Sequence, residues 1–159
     1  MAGIEHHLAT MKPILIGKDS LAPWPPGVGS QLIALAIAAD DSFSEDEYVH
    51  SFERRTLWPY KKLQDRSERS RALRRRGKEI ARQIKAQGRT DALLLGATVW
   101  NSVTARRAIG WFKCMEIDGC RFWYLPQPSK SSRLLNDPKV RRRLGRLVVQ
   151  IARRNGRDG

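Results

Sequence analysis

Two stretches of the sequence gather side chains able to do chemistry. The first is Leu125-Pro126-Gln127-Pro128-Ser129-Lys130-Ser131-Ser132-Arg133-Leu134-Leu135-Asn136, where three serines, a lysine and an arginine follow one another. All five can hold a phosphate, the hydroxyls and the ammonium as point donors and the guanidinium as a fork. The second is Gly17-Lys18-Asp19-Ser20, which places a carboxylate in a loop bounded by prolines and further glycines. A carboxylate there can steady a developing cation or orient a water; the alternative is that Asp19 caps a turn. The Gly-Lys pair is not a nucleotide-binding P-loop. That motif needs a glycine five residues before the pair and a hydroxyl directly after the lysine, and those positions hold Lys12 and Asp19.

Both stretches need elements to position them. Phe122-Trp123-Tyr124-Leu125 reads as a buried strand, stopped by prolines that a central strand does not tolerate. Asp137-Pro138 then reads as a helix start, with Asp as cap and Pro in the first helical position. Pro13 to Gly17 is likewise a short apolar strand ending at glycine. The loop from Lys18 to Gly29 that follows holds Pro23, Pro25, Pro26, Gly27 and Gly29. Ligands of open α/β sheets bind outside the carboxyl ends of the strands, and both polar loops sit at such ends, so a shared cleft is expected. For the later loop, an ordinary strand-to-helix connection is the competing reading.

The remaining elements follow from periodicity. Ser30 is expected to cap a helix running to about Ala39, apolar nearly all round (Leu32, Ile33, Leu35, Ile37) and so deeply packed. Asp40 to Glu47 holds five acids and no base, and should face away from an anionic partner or pair with arginines. Tyr48 to Trp58 reads as a short helix followed by an irregular or extended piece, closed by Pro59. Leu73, Ile80, Ala81 and Ile84 make a helical stripe, predicting an amphipathic helix from about Glu68 to Gln87 that Gly88 ends. Ten basic residues and two acids lie between Arg66 and Arg89, either a solvated outer face or a surface for a nucleic-acid backbone. Asp91 to Leu95 is a buried strand ending at Gly96, followed by a helix from Thr98 to Arg107 with Val99 and Val103 inward. Trp111 to Ile117 and Cys120 to Leu125 read as strands joined by an Asp118-Gly119 turn. The last helix runs from Pro138 to about Arg154, with Val140, Leu144, Leu147, Val148 and Ile151 on one face. Strands alternating with helices predict a mainly parallel sheet covered on both sides.

Composition narrows the partner. The chain has 159 residues and 41% hydrophobic content, enough for a single domain with a real core. A formal charge of +14 and a pI near 10.7 argue for a polyanion, most simply nucleic acid. There is no run of eighteen apolar residues for a membrane helix and no signal-peptide core between Met1 and Thr10, so a reducing cytoplasm is expected. Cys114 and Cys120 flank the turn and are placed to face each other across a hairpin, as two buried thiols rather than a disulfide. Two cysteines and three scattered histidines build neither a zinc site nor an iron–sulfur site, and no cofactor is expected.

Several segments, in order, resemble the uracil-DNA glycosylase superfamily over roughly Pro13 to Ala152. Pro126-Gln127-Pro128-Ser129 with Arg133 and Asn136 is similar to its His-Pro-Ser loop, and closest to divergent, phage-like members with Pro-His-Pro-Ser-Gly-x-x-Arg. Ile14-Leu15-Ile16-Gly17-Lys18-Asp19 resembles its first motif, and Gly29-Ser30-Gln31-Leu32 the helix start after it. Phe52-Glu53-Arg54-Arg55-Thr56-Leu57 resembles the segment presenting a base-reading asparagine, and Leu94-Leu95-Gly96-Ala97-Thr98-Val99 a strand–helix junction. The resemblance implies a three-layer α/β/α sandwich acting on DNA, probing a base flipped out of the stack. By position it makes Asp19 the residue acting on the water or the sugar cation and Gln127 the charge stabiliser. Gly17, Lys18, Ser20 and Thr56 would surround the base, and Ser129, Lys130, Ser131, Ser132, Arg133 and Leu134 would bind or wedge the DNA. A monomer is expected. Gln127 stands where the family has histidine, Thr56 where it has asparagine and Lys130 where it has glycine. Two activities therefore stay open, hydrolysis of a uracil-like or modified pyrimidine base and DNA binding without catalysis. An RNA-binding or nucleotide-processing role is the third reading.

Overall fold

The computed structural model describes residues 11–23, 27–57, 64–128 and 133–157. Its centre is a five-stranded sheet of β1 (Ile14–Gly17), β2 (Glu53–Thr56), β3 (Asp91–Leu95), β4 (Cys114–Ile117) and β5 (Cys120–Leu125), in the order β2-β1-β3-β5-β4. Neighbouring strands run parallel except for β4, which pairs antiparallel with β5. Among the described residues five helices cover it: α1 (Val28–Ala39), α2 (Glu45–Ser51), α3 (Arg66–Gln87), α4 (Ala97–Thr104) and α5 (Pro138–Arg157).

The side-chain alternation of the strands makes the layers. Leu15, Leu93, Leu95 and Leu125 pack with α1, α2 and α5 through Leu32, Ala36, Tyr48, Leu144, Val148 and Ile151. Ile14, Ile16, Ala92, Leu94, Phe122 and Tyr124 pack with Ile80 and Ile84 of α3 and Val99, Trp100 and Val103 of α4. Both faces of β1 and β3 are thus buried, so these strands are written as unbroken apolar runs. The fold is the expected α/β class, a mainly parallel sheet between two helical layers. No helix among the described residues is long and apolar enough to cross a membrane.

Several local expectations are corrected. α1 starts at Val28, ahead of Ser30, whose hydroxyl donates to the Gly27 carbonyl at 3.0 Å instead of capping the helix. Nor is α1 buried all round: Leu32, Ile33 and Ala36 are, whereas Ala34, Ile37 and Ala38 are exposed. α2 begins at Glu45, not Tyr48, because Ser44 accepts from the Glu47 amide at 3.1 Å and three acids in the first turn meet the positive helix end. The piece after it is an edge strand, Glu-Arg-Arg-Thr, which no apolar pattern announces. α4 stops at Thr104, where Ala105 turns left-handed (φ 56°), and β4 starts only at Cys114, after Phe112 at φ 67°. The hairpin register pairs Cys114 with Trp123 and Ile117 with Cys120, so the cysteines do not face each other. Cys114 is exposed rather than buried, and Cys120 lies in the core, where burial first and the Asp91 carboxylate second push its thiol up to about 12.

The other boundaries agree. α3 ends at Gly88 in the left-handed conformation, the Asp118-Gly119 turn has positive φ at both residues, and Asp137 accepts from the Lys139 amide at 2.9 Å at the head of α5.

Candidate functional site

The register sets the geometry of the carboxyl edge. Thr56 pairs with Gly17, and Leu95 pairs with Leu125. With Ile16 opposite Leu94 between them, the four parallel strands end in one row. The chain moves from β1 outward to β2, then crosses back to β3 on the other side of β1. The crevice between the ends of β1 and β3 is therefore a topological switch point, where open α/β sheets bind ligands.

The loop after β1 folds back tightly. Leu21 is buried, its carbonyl accepts from the Tyr48 hydroxyl at 3.0 Å, and burial raises that phenol to about 12. A side chain at Gly29 would lie 2.3 Å from the Leu21 and Ala22 carbonyl oxygens, so the start of α1 clamps the loop from the other side. Within it Gly17 is buried, Lys18 and Asp19 are half-buried, and Ser20 is exposed. The Ser20 hydroxyl accepts from the Ala22 amide at 3.3 Å, which assigns that oxygen a local turn whatever else it meets.

Thr56 ends β2 half-buried, and its carbonyl accepts from Arg76 Nε of α3 at 3.3 Å. Gln127 lies two residues past β5, over the end of β3: its Oε1 is 3.5 Å from where a Cβ on Gly96 would stand. Gly96, at φ 91°, turns the chain from β3 into α4, a conformation that side chains other than glycine's disfavour. Gln127 and the loop carrying Asp19 thus approach the crevice from β5 and β1, on either side of β3, and Thr56 stands one strand further out. Arg133 is exposed and opens a short 3-10 turn, Leu134–Asn136, in which Leu135 enters the core and Leu134 is half-buried. Ser129, Lys130, Ser131 and Ser132 lie outside the described residues.

Helix lengths add two walls that residue patterns alone did not reveal. α3 is about 33 Å long, against about 13–17 Å for the strands it covers. Arg76 is level with the end of β2 through its bond to Thr56, so the preceding turns, with Arg66, Arg69 and Arg71, extend past the strand ends. At the other end of α5, Arg154 stands 3.9 Å from Asp91, the first residue of β3. Counting back at about 1.5 Å per residue carries the first turn, with Lys139, Arg141 and Arg142, beyond the same edge. The two projections come from opposite layers and carry the same charge. Asp40 and Glu47 lie at the far edge, where Arg153 binds Glu47 at 2.9 Å and Asp40, and reaches Ser42 at 2.9 Å; Asp65, Glu68 and Asp137 sit among the cations at the heads of α3 and α5.

Two cavities lie elsewhere. One of about 180 Å³ sits between α3, α4 and the hairpin, lined by Ile84, Val103, Ile117 and Phe122 among others. The other, about 370 Å³, is a shallow depression between Arg74 and Lys78 of α3 and Arg106 and Arg107 after α4. Asp19, Thr56 and Gln127 line neither. Among the described residues no three His, Cys, Asp or Glu side chains gather to hold a metal ion.

The carboxyl edge therefore holds Thr56 at the end of β2, Asp19 just past β1 and Gln127 just past β5, with exposed arginines at the heads of α3 and α5. No protein-family model matches the chain, and no curated protein matches it.

Proposed function

We propose that the chain binds DNA as a monomer through its carboxyl edge and hydrolyses the N-glycosidic bond of a flipped uracil-like or modified pyrimidine base. What supports this reading is that the Asp19 loop follows β1 and Gln127 follows β5, on either side of β3, with cations at the heads of α3 and α5 in the two helical layers. The divergent glycosylase resemblance supplies the roles. A flipped nucleotide would enter the crevice with its phosphates toward Arg66, Arg71, Arg133, Arg141 and Arg142. As the C1′–N bond breaks, its electron pair leaves with the base and the sugar becomes oxocarbenium-like. Asp19 steadies that cation and orients the water whose oxygen bonds to C1′ and whose proton passes by way of the carboxylate to the departing base anion. The Gln127 amide donates to the oxygen on which the base's negative charge develops. Thr56 reads the base edge as a donor or acceptor.

The second reading is a DNA-binding protein without catalysis. What favours it is the pair Gln127 and Thr56, which stand where the resembled family has a histidine and an asparagine. An amide donates but cannot become cationic, and one lost charge-stabilising donor typically costs about 10²–10³ in rate.

The test uses labelled single- and double-stranded oligonucleotides carrying uracil, hypoxanthine or 5-hydroxymethyluracil, assayed for alkali-labile abasic sites. Hydrolysis is expected with at least one base and is expected to disappear in Asp19→Asn while DNA affinity stays. Salt-sensitive binding with no abasic sites on any base would leave the non-catalytic reading.

A further inference from the structure

An aromatic stack runs from the core to the surface at β5. Trp100, fully buried on α4, packs tilted against Tyr124 of β5 at 5.4 Å between ring centroids. On Tyr124 lies Trp111, stacked at 4.3 Å with the rings 13° apart. Trp111 is 38% exposed, one of two large apolar side chains that reach the surface among the described residues.

The stack is held in place. The Trp100 indole donates to the Arg107 carbonyl at 2.9 Å, fixing the chain that leads to Trp111. The Phe112 amide donates to the Tyr124 carbonyl at 2.8 Å, and the Tyr124 amide to the Lys113 carbonyl at 3.0 Å. Phe112 is held at φ 67°, a conformation costly for a bulky residue and maintained only where its surroundings enforce it. The Arg143 guanidinium lies over its ring at 4.6 Å. The backbone thus turns Trp111 to one side of the sheet corner and Phe112 to the other. Lys113, two residues after Trp111, is exposed, as are Arg106 and Arg107 earlier in the same connection.

We infer that Trp111 is a stacking platform for an unpaired nucleobase of a DNA strand lying along the carboxyl edge. The inference rests on the DNA-binding part of the proposed function and adds a second, base-dependent contact to it. Tyr124 stands three residues before Gln127, so the platform lies on the order of 10 Å back along β5 from that side chain. A flat indole whose inner face is already stacked offers its outer face with little ordering left to do. The connection that carries it also holds exposed Arg106, Arg107 and Lys113, and an aromatic face on a positively charged surface is how single strands are held without sequence preference.

The experiment compares a short oligo-dT with an abasic strand of the same length and charge, by titration against wild type, Trp111→Ala and Trp111→Phe. Wild type is expected to prefer oligo-dT. Trp111→Ala is expected to bind oligo-dT about 5- to 150-fold more weakly, bind the abasic strand unchanged and keep its salt dependence, while Trp111→Phe retains most of the preference. Equal wild-type affinity for the two strands overturns the platform without needing any variant. So does a folded Trp111→Ala protein that keeps the preference, and in both cases DNA binding itself stands. A wild type that binds neither strand removes the DNA-binding reading, and the platform falls with it.

Discussion

At the scale of single residues, the most heavily committed groups lie at the amino edge, away from the candidate chemistry. Asp91 is fully buried and accepts from Arg121 Nε at 2.9 Å, Arg121 Nη2 at 3.0 Å and the Trp123 indole at 3.0 Å. Asp91→Asn removes a charge-assisted pair but keeps one acceptor oxygen, so it should destabilise the fold by about 1.5–3 kcal/mol, measurable by urea unfolding. Arg89 is 3% exposed and donates to Glu53 at 2.7 Å, to the Lys12 carbonyl at 2.6 Å and to Gln87 at 2.6 Å. Burial works to raise the Glu53 carboxyl, but the hydrogen bond and charge of Arg89, with Arg55, hold it below its ordinary 4.5. A depressed folded value means that the unfolded chain binds the proton first. The stabilisation from Glu53 is therefore complete above its ordinary value and is lost as pH falls through the lower folded one. Glu53→Gln should lower the melting temperature near neutral pH, and the gap to wild type should close on acidification. A gap that stays constant from pH 7 to pH 3 would remove the ion pair from the explanation.

At the scale of elements, two glycines decide how close the helices come. A Cβ on Gly77 of α3 would lie 2.0 Å from the Ser102 carbonyl oxygen of α4, and one on Gly145 of α5 would lie 2.1 Å from the Leu35 carbonyl oxygen of α1. Helix propensity alone would favour alanine at each by about 1 kcal/mol. The clashing atoms are backbone, so they cannot rotate away, and overpacking of this kind costs about 1–3 kcal/mol or more. Gly77→Ala and Gly145→Ala are both expected to lower stability, the opposite sign from an exposed helical glycine; thermal melts give the sign directly. These contacts also mark what sequence reading could reach. The stripe Leu73, Ile80, Ala81 and Ile84 gave α3 its face, and Gly88 its end, because both signals are local. The strand Glu53–Thr56 was legible only as an irregular or extended piece, because an edge strand needs no apolar face. The stop of α4 at Ala105 and the delayed start of β4 came from positive φ at an alanine and a phenylalanine, residue types that advertise no turn. At the site, the loops after Gly17 and Leu125 were legible as strand ends. That Gln127 lies over Gly96, and that α3 and α5 overrun the sheet, depends on register and length across distant segments.

At the scale of the molecule, the charge is polar as well as large. Of the net +14, the arginines at the head of α3 and α5 overhang the carboxyl edge, whereas Arg153 and Arg154 at the foot of α5 are engaged by Asp40, Glu47 and Asp91. The acidic run from Asp40 to Glu47 thus cancels basic charge at the amino edge only. A polyanion should then be oriented before any specific contact forms. If DNA lies along the carboxyl edge, each phosphate contact there releases counterions and steepens the salt dependence of binding. Arg71→Gln on α3 and Arg142→Gln on α5 should each reduce the slope of log K against log salt by about 1, without altering base preference. Lys85→Gln, near the foot of α3 and 3.9 Å from Asp118, removes the same charge from the same helix and should leave the slope unchanged. Equal losses at all three positions would mean that binding senses only total charge. A loss confined to Arg71 and Arg142 would mean that it senses where the helices end, which places the phosphates within reach of the crevice.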